Sequence, residues 1–468
     1  MDVMDDQRNL SEQLQLLHEL QYSDLDMPYQ GASTHSNRQS RRGDSNTNRE
    51  VRLLDTIALA LTTGNPGDVI AAAFDKREKL QLVLAKNGPP TPDDVAAANE
   101  FISLIGARAV SNAVDLFPFL IRRCGANIDK RIRNLHTSIR DEELRNDFAL
   151  ALEAYEPEAD ITAEFPGADW LFGKYGDATP PIATVWGDFV EQITDSTSQG
   201  LSAGDFSKSK YTQILILADA LKRSRFLKTL IEDRNLLTKD RKWRAEKLKR
   251  RLDKVCQYVT GISYLIQKSK RYFPIPHHWV MDTFTGTGES VFNLCENAYD
   301  AVSRGLDRPL SPAIVDKLDK DFPSIRSNWE RQQTMHTCIH AELRLILHLG
   351  PPSTIKSPIH PIGVSKRSCF CCTLWIESHN CIFGTRWMTS GSHGKPYANW
   401  ALPGAACSYA IQADGRSSVD KAVLKPVSTR LTDALDWHFP GQSSDSEQEE
   451  LHRQLMDLAA DLADQLPW

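Results

Sequence analysis

Four side chains in one segment of the sequence could together perform metal-assisted chemistry. His340 and Glu342 are two positions apart, and Cys369 and Cys372 follow with the Cys-x-x-Cys spacing that zinc sites often show. One imidazole and two thiolates fill three positions on a tetrahedral zinc ion and leave the fourth for water. We therefore predict that His340, Cys369 and Cys372 bind Zn²⁺ and that Glu342 is the catalytic residue that carries protons.

The reaction that these groups favour is the hydrolytic removal of an amino group from a nucleobase. Zinc lowers the pKa of a bound water to about 7, so that the water can attack at neutral pH. Zinc deaminases direct this attack at C4 of cytosine or C6 of adenine, and a glutamate that is not a ligand moves the protons. A free nucleoside, a nucleotide and a base within a nucleic acid all contain this target and stay open as substrates.

Two helices and a strand must bring these groups together. The pattern predicts a helix over 340–348, a buried strand over 359–364 and a second helix that begins at Cys369. Residues two apart on a helix point to nearly opposite sides, so His340 and Glu342 reach one metal most easily from the first turn. Thiolates at the start of a helix are stabilised by its dipole and its free amide groups. Both helices are therefore expected to begin at the metal.

Other interpretations of the same cysteines stay open. A structural zinc site would take a fourth ligand from the protein, and Cys338, Cys371 or Cys381 could supply it, but Glu342 would then have no role. A redox-active Cys-x-x-Cys would not use His340. The alternative function is a catalytically inactive, deaminase-like protein in which zinc stabilises an interaction scaffold.

The same residues resemble the cytidine deaminase-like superfamily, and most of all a group of uncharacterised fungal deaminase-like proteins. The resemblance covers roughly residues 330–405 and depends on the runs 340–342, 363–372 and 391–395. It implies the zinc ligands and proton carrier named above. It also implies an α/β three-layer fold with both metal-bearing helices on one face of a sheet. Two features depart from the superfamily: Ser368 replaces a proline, and no clear two-stranded hairpin comes directly before His340.

Two residues beyond the second helix are candidates for substrate binding. His393 lies in a polar loop, 389–395, that follows a predicted strand over 382–388. It could hydrogen-bond a base or a sugar, or it could be an exposed loop histidine. Trp400 could stack on a base, or it could be a core tryptophan.

The rest of the chain predicts a large all-α N-terminal region in front of a C-terminal deaminase-like domain. The expected units are a short helix over 1–22, a disordered linker over 23–50, a helical domain with an irregular connection over 51–208, a helical hairpin over 209–273, the zinc domain over 274–410 and a C-terminal extension over 411–468. The hairpin follows from apolar residues at steps of three and four between Ala245 and Ile266, with a partner helix around Leu217. The extension is expected to contain an acidic, serine-rich linker and a terminal amphipathic helix.

A basic run occupies residues 239–251, where eight of 13 residues are Lys or Arg. Such a run could bind nucleic-acid phosphates, or it could be the solvated outer face of the predicted hairpin. Contact with a nucleic acid through Lys239–Arg251 is thus a second partner hypothesis, beside the nucleobase-containing substrate. The net charge of −6 argues against a protein that coats nucleic acid by bulk attraction.

Composition narrows the class of protein further. No stretch of the 468 residues approaches the ~18 consecutive apolar residues of a membrane-spanning helix, and the acidic start over 1–6 lacks the features of a signal peptide. Six of the nine cysteines lie between Cys338 and Cys407, which in a large intracellular chain favours metal or redox chemistry over disulfides. We expect no membrane contact and a location in the cytosol or nucleus.

Overall fold

The computed structural model describes residues 3–23, 45–168, 181–198, 208–232, 239–281, 290–350 and 359–439. The α-helices, in chain order, are α1 (Val3–Glu19), α2 (Ser45–Leu61), α3 (Pro92–Gly106), α4 (Phe117–Ile139), α5 (Glu142–Ala154), α6 (Ile161–Glu164), α7 (Ile182–Ser198), α8 (Lys208–Arg223), α9 (Arg225–Glu232), α10 (Lys239–Cys256), α11 (Ile262–Tyr272), α12 (Ala298–Leu306), α13 (Pro312–Asp321), α14 (Ile325–Arg331), α15 (Ala341–Leu349), α16 (Phe370–Phe383) and α17 (Ser418–His438). Most of the predicted linker and the predicted terminal amphipathic helix lie outside the described residues.

In the described ranges, seven strands form two sheets. They are β1 (Ile70–Asp75), β2 (Gln81–Lys86), β3 (His277–Trp279), β4 (Val291–Asn293), β5 (Thr334–His336), β6 (Ile359–Val364) and β7 (Arg386–Met388). The larger sheet is mixed and has the strand order β3-β2-β1-β6-β7, with β1 antiparallel to both of its neighbours. The outer pairs, β2 with β3 and β6 with β7, are parallel. Strands β4 and β5 form a separate antiparallel pair.

The prediction of an all-α N-terminal region was wrong over residues 70–86, where β1 and β2 form an antiparallel hairpin. Three consecutive alanines, 71–73, favour a helix by intrinsic propensity. Pairing with β6, which lies far away in the sequence, overrides that propensity. No clear hairpin was recognised directly before His340, and this one lies much earlier in the chain. The domain bounds themselves stay a prediction.

The larger sheet is covered on both faces, because residues of β1 and β2 alternate between two hydrophobic clusters. The cluster on what we call the front face contains side chains of α1, α12, α15, α16 and α17 together with Ala71, Ala73, Val83 and Ala85. The cluster on the rear face contains side chains of α2, α3, α4, α8 and α10 together with Ile70, Ala72, Leu82 and Leu84. The same sheet therefore supports two separate layers of helices.

Helix α2 crosses the rear face in direct contact with β6. A Cβ atom added to Gly363 would lie 2.0 Å from the carbonyl carbon of Leu54, so only glycine permits this approach. The carboxylate of Asp55 accepts a hydrogen bond from the Val364 N–H at 2.7 Å. These contacts fix the end of β6, from which the chain continues to Cys369.

Several predicted elements are confirmed. Helix α15 and strand β6 coincide with the helix and strand predicted over 340–348 and 359–364, and α16 begins directly after Cys369. Helices α8 and α10 pack against each other as predicted, with Leu217 and Leu252 buried. The strand predicted over 382–388 is only the short β7, because α16 continues to Phe383 and ends at Gly384.

Candidate metal centre

The first residues of two front-face helices meet at one point. His340 is the N-cap residue of α15, and its backbone is extended, with φ −69° and ψ 152°. Cys369 is the N-cap residue of α16, and its sulfur accepts a hydrogen bond from the Cys372 N–H at 3.4 Å. Both helix N-termini, where unpaired amide groups give a partial positive charge, therefore point at the same group of side chains.

The three predicted ligands form one buried cluster. His340 Nδ1 lies 3.5 Å from Cys369 Sγ and 3.3 Å from Cys372 Sγ. All three ligand atoms lie within 4.8 Å of one another. Donors held about 2.0–2.3 Å from one tetrahedral zinc ion would be about 3.3–3.8 Å apart, so the spacing fits this metal.

Burial and mutual contacts shift the pKa values of all three candidate ligands. Although burial opposes it, the hydrogen bond from Cys372 and the adjacent His340 lower the pKa of the Cys369 thiol to about 5. Burial, together with the charge of Cys369, raises the pKa of Cys372. The pKa of His340 is raised, because the Cys369 thiolate outweighs the effect of burial. Metal binding requires both sulfurs to be deprotonated and His340 to be neutral, so a divalent metal would displace protons from this cluster.

Glu342 lies at the second residue of α15 and is 3% exposed. Its carboxylate is close enough to act electrostatically on His340, Cys369 and Cys372. It is not one of the residues whose donor atoms converge. Glu342 therefore lies beside the candidate metal position without belonging to the ligand set.

Within the described ranges, no fourth His, Cys, Asp or Glu joins this ligand set. The three cysteines considered as a fourth ligand, Cys338, Cys371 and Cys381, lie outside it. Cys371 is fully buried, whereas Cys381 is exposed. A set of three protein ligands is the pattern of a catalytic zinc site, which keeps one position for water or substrate.

Trp400 contacts the cluster of candidate ligands through Cys372. Its side chain is fully buried, and its indole Nε1–H donates to Cys372 Sγ at 3.2 Å. The main chain beside it pairs with the residues before α15, since the Cys338 N–H donates to the Asn399 carbonyl and the Ala401 N–H to the Cys338 carbonyl. The ring has no exposed surface on which a base could stack, and its contact is instead with a ligand sulfur.

The N-terminal helix supports the same stretch of chain. The Gln7 side chain, fully buried, donates to the Trp400 carbonyl at 3.0 Å and accepts from the Leu402 N–H at 2.8 Å. It therefore satisfies two backbone groups in the way that a neighbouring strand would. Sequence reasoning missed this role, because a glutamine in an amphipathic helix carries no sign of a partner so distant in sequence.

The loop 391–395 is fastened to the start of α16 by backbone hydrogen bonds. The Ser368 N–H donates to Gly391, the His393 N–H donates to Ser368, and the Phe370 N–H donates to Lys395, at 3.1–3.2 Å. His393 Nδ1 accepts from the Lys395 N–H at 3.1 Å, and burial lowers the pKa of His393. The ring is therefore held neutral with Nε2–H as a donor.

Tyr397 and Asn87 complete the surroundings, and sequence reasoning missed both. Tyr397 is 39% exposed, and its ring centre lies 6.4 Å from that of His340 and 5.5 Å from that of His393. Asn87, which follows β2, accepts a hydrogen bond from the Ala341 N–H at 2.8 Å through Oδ1. An aromatic two residues after Lys395 was a usable signal for Tyr397, whereas Asn87 is joined to the site only by the fold.

Comparison with known proteins places the site in a family. Residues 339–404 match the model of a family described as OTT_1508-like deaminase. This is a cytidine deaminase-like family, and the segment is similar to it. The match spans His340, Glu342, Cys369 and Cys372, and it confirms the superfamily resemblance, while the closer likeness to fungal proteins stays a prediction. No curated protein and no solved structure matches the chain.

None of the described helices combines the length and the apolar character needed to cross a lipid bilayer. All nine cysteines are free thiols in the structure.

Proposed function

We propose that this protein is a zinc-dependent hydrolase that removes the amino group from cytosine or adenine. The observation that carries the proposal is the buried cluster of His340, Cys369 and Cys372, with Glu342 beside it, inside the segment that matches a deaminase family. Helices on both faces of the sheet are the arrangement that a three-layer deaminase core needs.

The ligand residues are prepared for a cation by their own surroundings. His340 Nδ1 and the sulfurs of Cys369 and Cys372 would hold the zinc, and the ion would activate water for attack on the amine-bearing carbon. The dipole of α16 stabilises the charge on both sulfurs. The Trp400 indole N–H donates to one of them. Such outer contacts orient ligands and tune their basicity.

Glu342 is the group that we assign to proton transfer. Its carboxylate lies next to the ligand set without joining it, so it is available to take a proton from water and deliver it to the ring and to the departing amine. We assign His393 and Tyr397 to substrate contact. The His393 Nε2–H is a fixed donor, and the exposed Tyr397 ring offers a surface for a base.

We also propose that the protein works in the cytosol or nucleus. Nine free cysteines, six of them between Cys338 and Cys407 in the sequence, suit a reducing compartment in which thiols persist.

The proposal is tested by zinc content and ammonia release, measured on the wild type, His340→Ala and Glu342→Gln. We expect about one zinc per chain in the wild type and in Glu342→Gln, and far less in His340→Ala. Cytidine, adenosine, their monophosphates and single-stranded DNA and RNA serve as trial substrates. On the substrate that reacts, Glu342→Gln should lose about 10²- to 10⁴-fold in kcat, the usual contribution of a general acid-base.

Two results would contradict this function. Folded wild-type protein without zinc would remove the basis of the chemistry. Zinc-loaded wild type that releases no ammonia from any trial substrate would favour the alternative, an inactive scaffold stabilised by metal.

A further inference from the structure

The basic run of α10 divides into two parts with different surroundings. In the first part, Arg241 and Arg244 pair with Asp147 at 2.8 and 2.7 Å, and Arg244 also pairs with Glu143 at 2.6 Å. These ion pairs attach α10 to α5. The arginines of this part therefore have structural partners and are not offered to a ligand.

The second part of α10 meets other cations. Arg250 and Lys254 are exposed, and Arg131 of α4 donates to the Lys254 carbonyl. Burial, and then the neighbouring charges of Arg131, Arg367, Arg250 and Arg251, lower the pKa of Lys254. A lysine affected by four arginines lies in a strongly positive environment.

Two of the cations come from the turn that leads to the metal ligands. Lys366 and Arg367 are exposed and lie between β6 and Cys369. Arg367 interacts electrostatically with Lys254, and Lys366 with Lys130 of α4. We call the set a basic cluster and define it as Lys130, Arg131, Arg250, Lys254, Lys366 and Arg367. Three separate parts of the chain thus supply its charges.

Nearby acids neutralise this cluster only in part. Among the described acidic residues, none forms an ion pair with Arg250, Lys254, Lys366 or Arg367. Asp68, which interacts with Lys366, is already paired with Lys86 at 3.2 Å. Asp55 lies near Arg367, but its carboxyl is bonded to the Val364 N–H, and burial raises its pKa to about 7.

One member of the cluster lies close in sequence to the candidate metal centre. Arg367 is two residues before Cys369, and Ser368 between them carries the hydrogen bonds to Gly391 and His393. The Ser365 N–H donates to the Ile70 carbonyl at 2.9 Å, which places this turn at the sheet edge where β2 ends and Asn87 follows. An anion on the cluster would therefore lie at the same edge of the sheet as the metal ligands.

We propose that the basic cluster binds the phosphates of a single-stranded nucleic acid whose target base enters the metal centre. This inference rests on the proposed deaminase function. Cations spread over α4, α10 and the turn before α16 suit several successive phosphates better than the one phosphate end of a free nucleotide. Because the ligands are buried, with His340 8% exposed, a target base has to leave its stack to reach them, which an unpaired strand permits at least cost.

The test measures binding of fluorescein-labelled, mixed-sequence 20-nucleotide single strands, one of DNA and one of RNA, by fluorescence anisotropy between 0.05 and 0.3 M NaCl. The cluster variant is Lys254→Gln/Arg367→Gln. The control is Lys79→Gln/Lys425→Gln, which removes the same charge from exposed residues of the β1–β2 turn and of α17. Zinc content and circular dichroism verify that both fold.

We expect the control to bind like the wild type. Each phosphate contact contributes about 0.7 to the slope of log affinity against log salt for single strands, so the cluster variant should lose about 1.4 from that slope. At 0.1 M salt this corresponds to an affinity about 10- to 30-fold weaker. Comparison of the affinities for the DNA and RNA strands shows which nucleic-acid backbone the protein prefers.

Equal salt slopes in the cluster variant and the control would overturn the inference, and so would wild-type protein that binds neither strand at 0.05 M NaCl. Activity separates this failure from that of the proposed function. If the protein deaminates a free nucleoside and the cluster plays no role, the proposed function stands and the proposed nucleic-acid surface is rejected. If binding depends on the cluster but no base is deaminated, the proposed nucleic-acid surface stands and the proposed enzymatic function is rejected.

Discussion

The two faces of the larger sheet use buried polar groups in different ways. On the front face, Gln7 donates a hydrogen bond to the Trp400 carbonyl, and the Trp400 indole donates to the sulfur of Cys372. Asp420 accepts a hydrogen bond from the Trp375 indole. On the rear face, Arg123 bonds to Asp93 and Asp94 and to the Leu61 carbonyl, which ties α4 to α2 and α3. Polar groups on the front face position the parts of a site, whereas those on the rear face join helices to one another.

This difference predicts which substitutions should affect metal binding. The front face holds the ligands through α15, α16 and the strand-like segment around Trp400. The rear face reaches them only through the end of β6, where Asp55 bonds to Val364. A loss of packing on the rear should therefore cost stability alone, whereas the same loss on the front should also weaken metal binding.

The largest expected effect comes from a matched pair of core truncations. Leu343 in α15 and Leu252 in α10 are both fully buried, one on each face. Replacing either with alanine should cost about 2–5 kcal/mol in the free energy of unfolding, from lost apolar contact and the cavity left behind. Urea denaturation measures this cost. Zinc affinity, measured by chelator competition on the folded protein, should fall only in Leu343→Ala.

The outcome that would break the comparison is a similar loss of zinc affinity in Leu252→Ala. It would mean that both faces couple to the metal equally.

A smaller effect, on zinc affinity alone, is expected when the hydrogen bond to the Cys372 sulfur is removed. Trp400→Phe keeps an aromatic ring but removes the N–H that donates to Cys372 Sγ. Contacts of this kind are typically worth 10- to 100-fold in metal affinity, so the zinc dissociation constant should rise by about that factor. Trp375→Phe is the control, because the equally buried Trp375 donates its indole N–H to Asp420 and not to a ligand. Equal zinc affinities in the two variants would show that the bond to sulfur contributes nothing.

The smallest effect concerns one buried carboxyl on each face. Burial raises the pKa of Asp55 to about 7 and that of Asp420 to about 6. A raised carboxyl pKa means that the folded state holds the proton more tightly, so the stability it contributes is present at low pH and is lost as pH rises through the folded pKa.

Between pH 5.5 and 7.5 the wild type should therefore lose about 2 kcal/mol relative to Asp55→Asn, and about 1 kcal/mol relative to Asp420→Asn. Urea denaturation at both pH values measures the differences. A wild type that gains stability relative to Asp55→Asn over this range would contradict the assigned environment of that carboxyl.

The sequence predicted the local parts of the site well. The helices at His340 and Cys369 and the strand over 359–364 were confirmed, because their apolar spacing and their start signals lie within a few residues of each other. The hairpin of β1 and β2 was missed, since alanine-rich β1 becomes a strand only by pairing with β6.

The groups that surround the ligands were predictable only in part. His393 was recognised as a candidate from its loop, and Trp400 was named, although its contact is with a sulfur rather than with an open surface. Asn87, Tyr397 and Gln7 were not recognised. Asn87 and Gln7 meet their partners through hydrogen bonds between segments hundreds of positions apart, and such contacts leave no periodic pattern in the sequence.

The sequence by itself determined the candidate donor set, since residue type and spacing decide which atoms could bind zinc and which carboxylate could move a proton. It also determined that the chain carries a run of cations over 239–251. Only the tertiary structure decided that Arg241 and Arg244 are paired while Lys254 lies within electrostatic range of Arg250 and Arg367. The physical reason is that an ion pair or a patch depends on distances across the fold, whereas a helix start or a ligand spacing depends on neighbours along the chain.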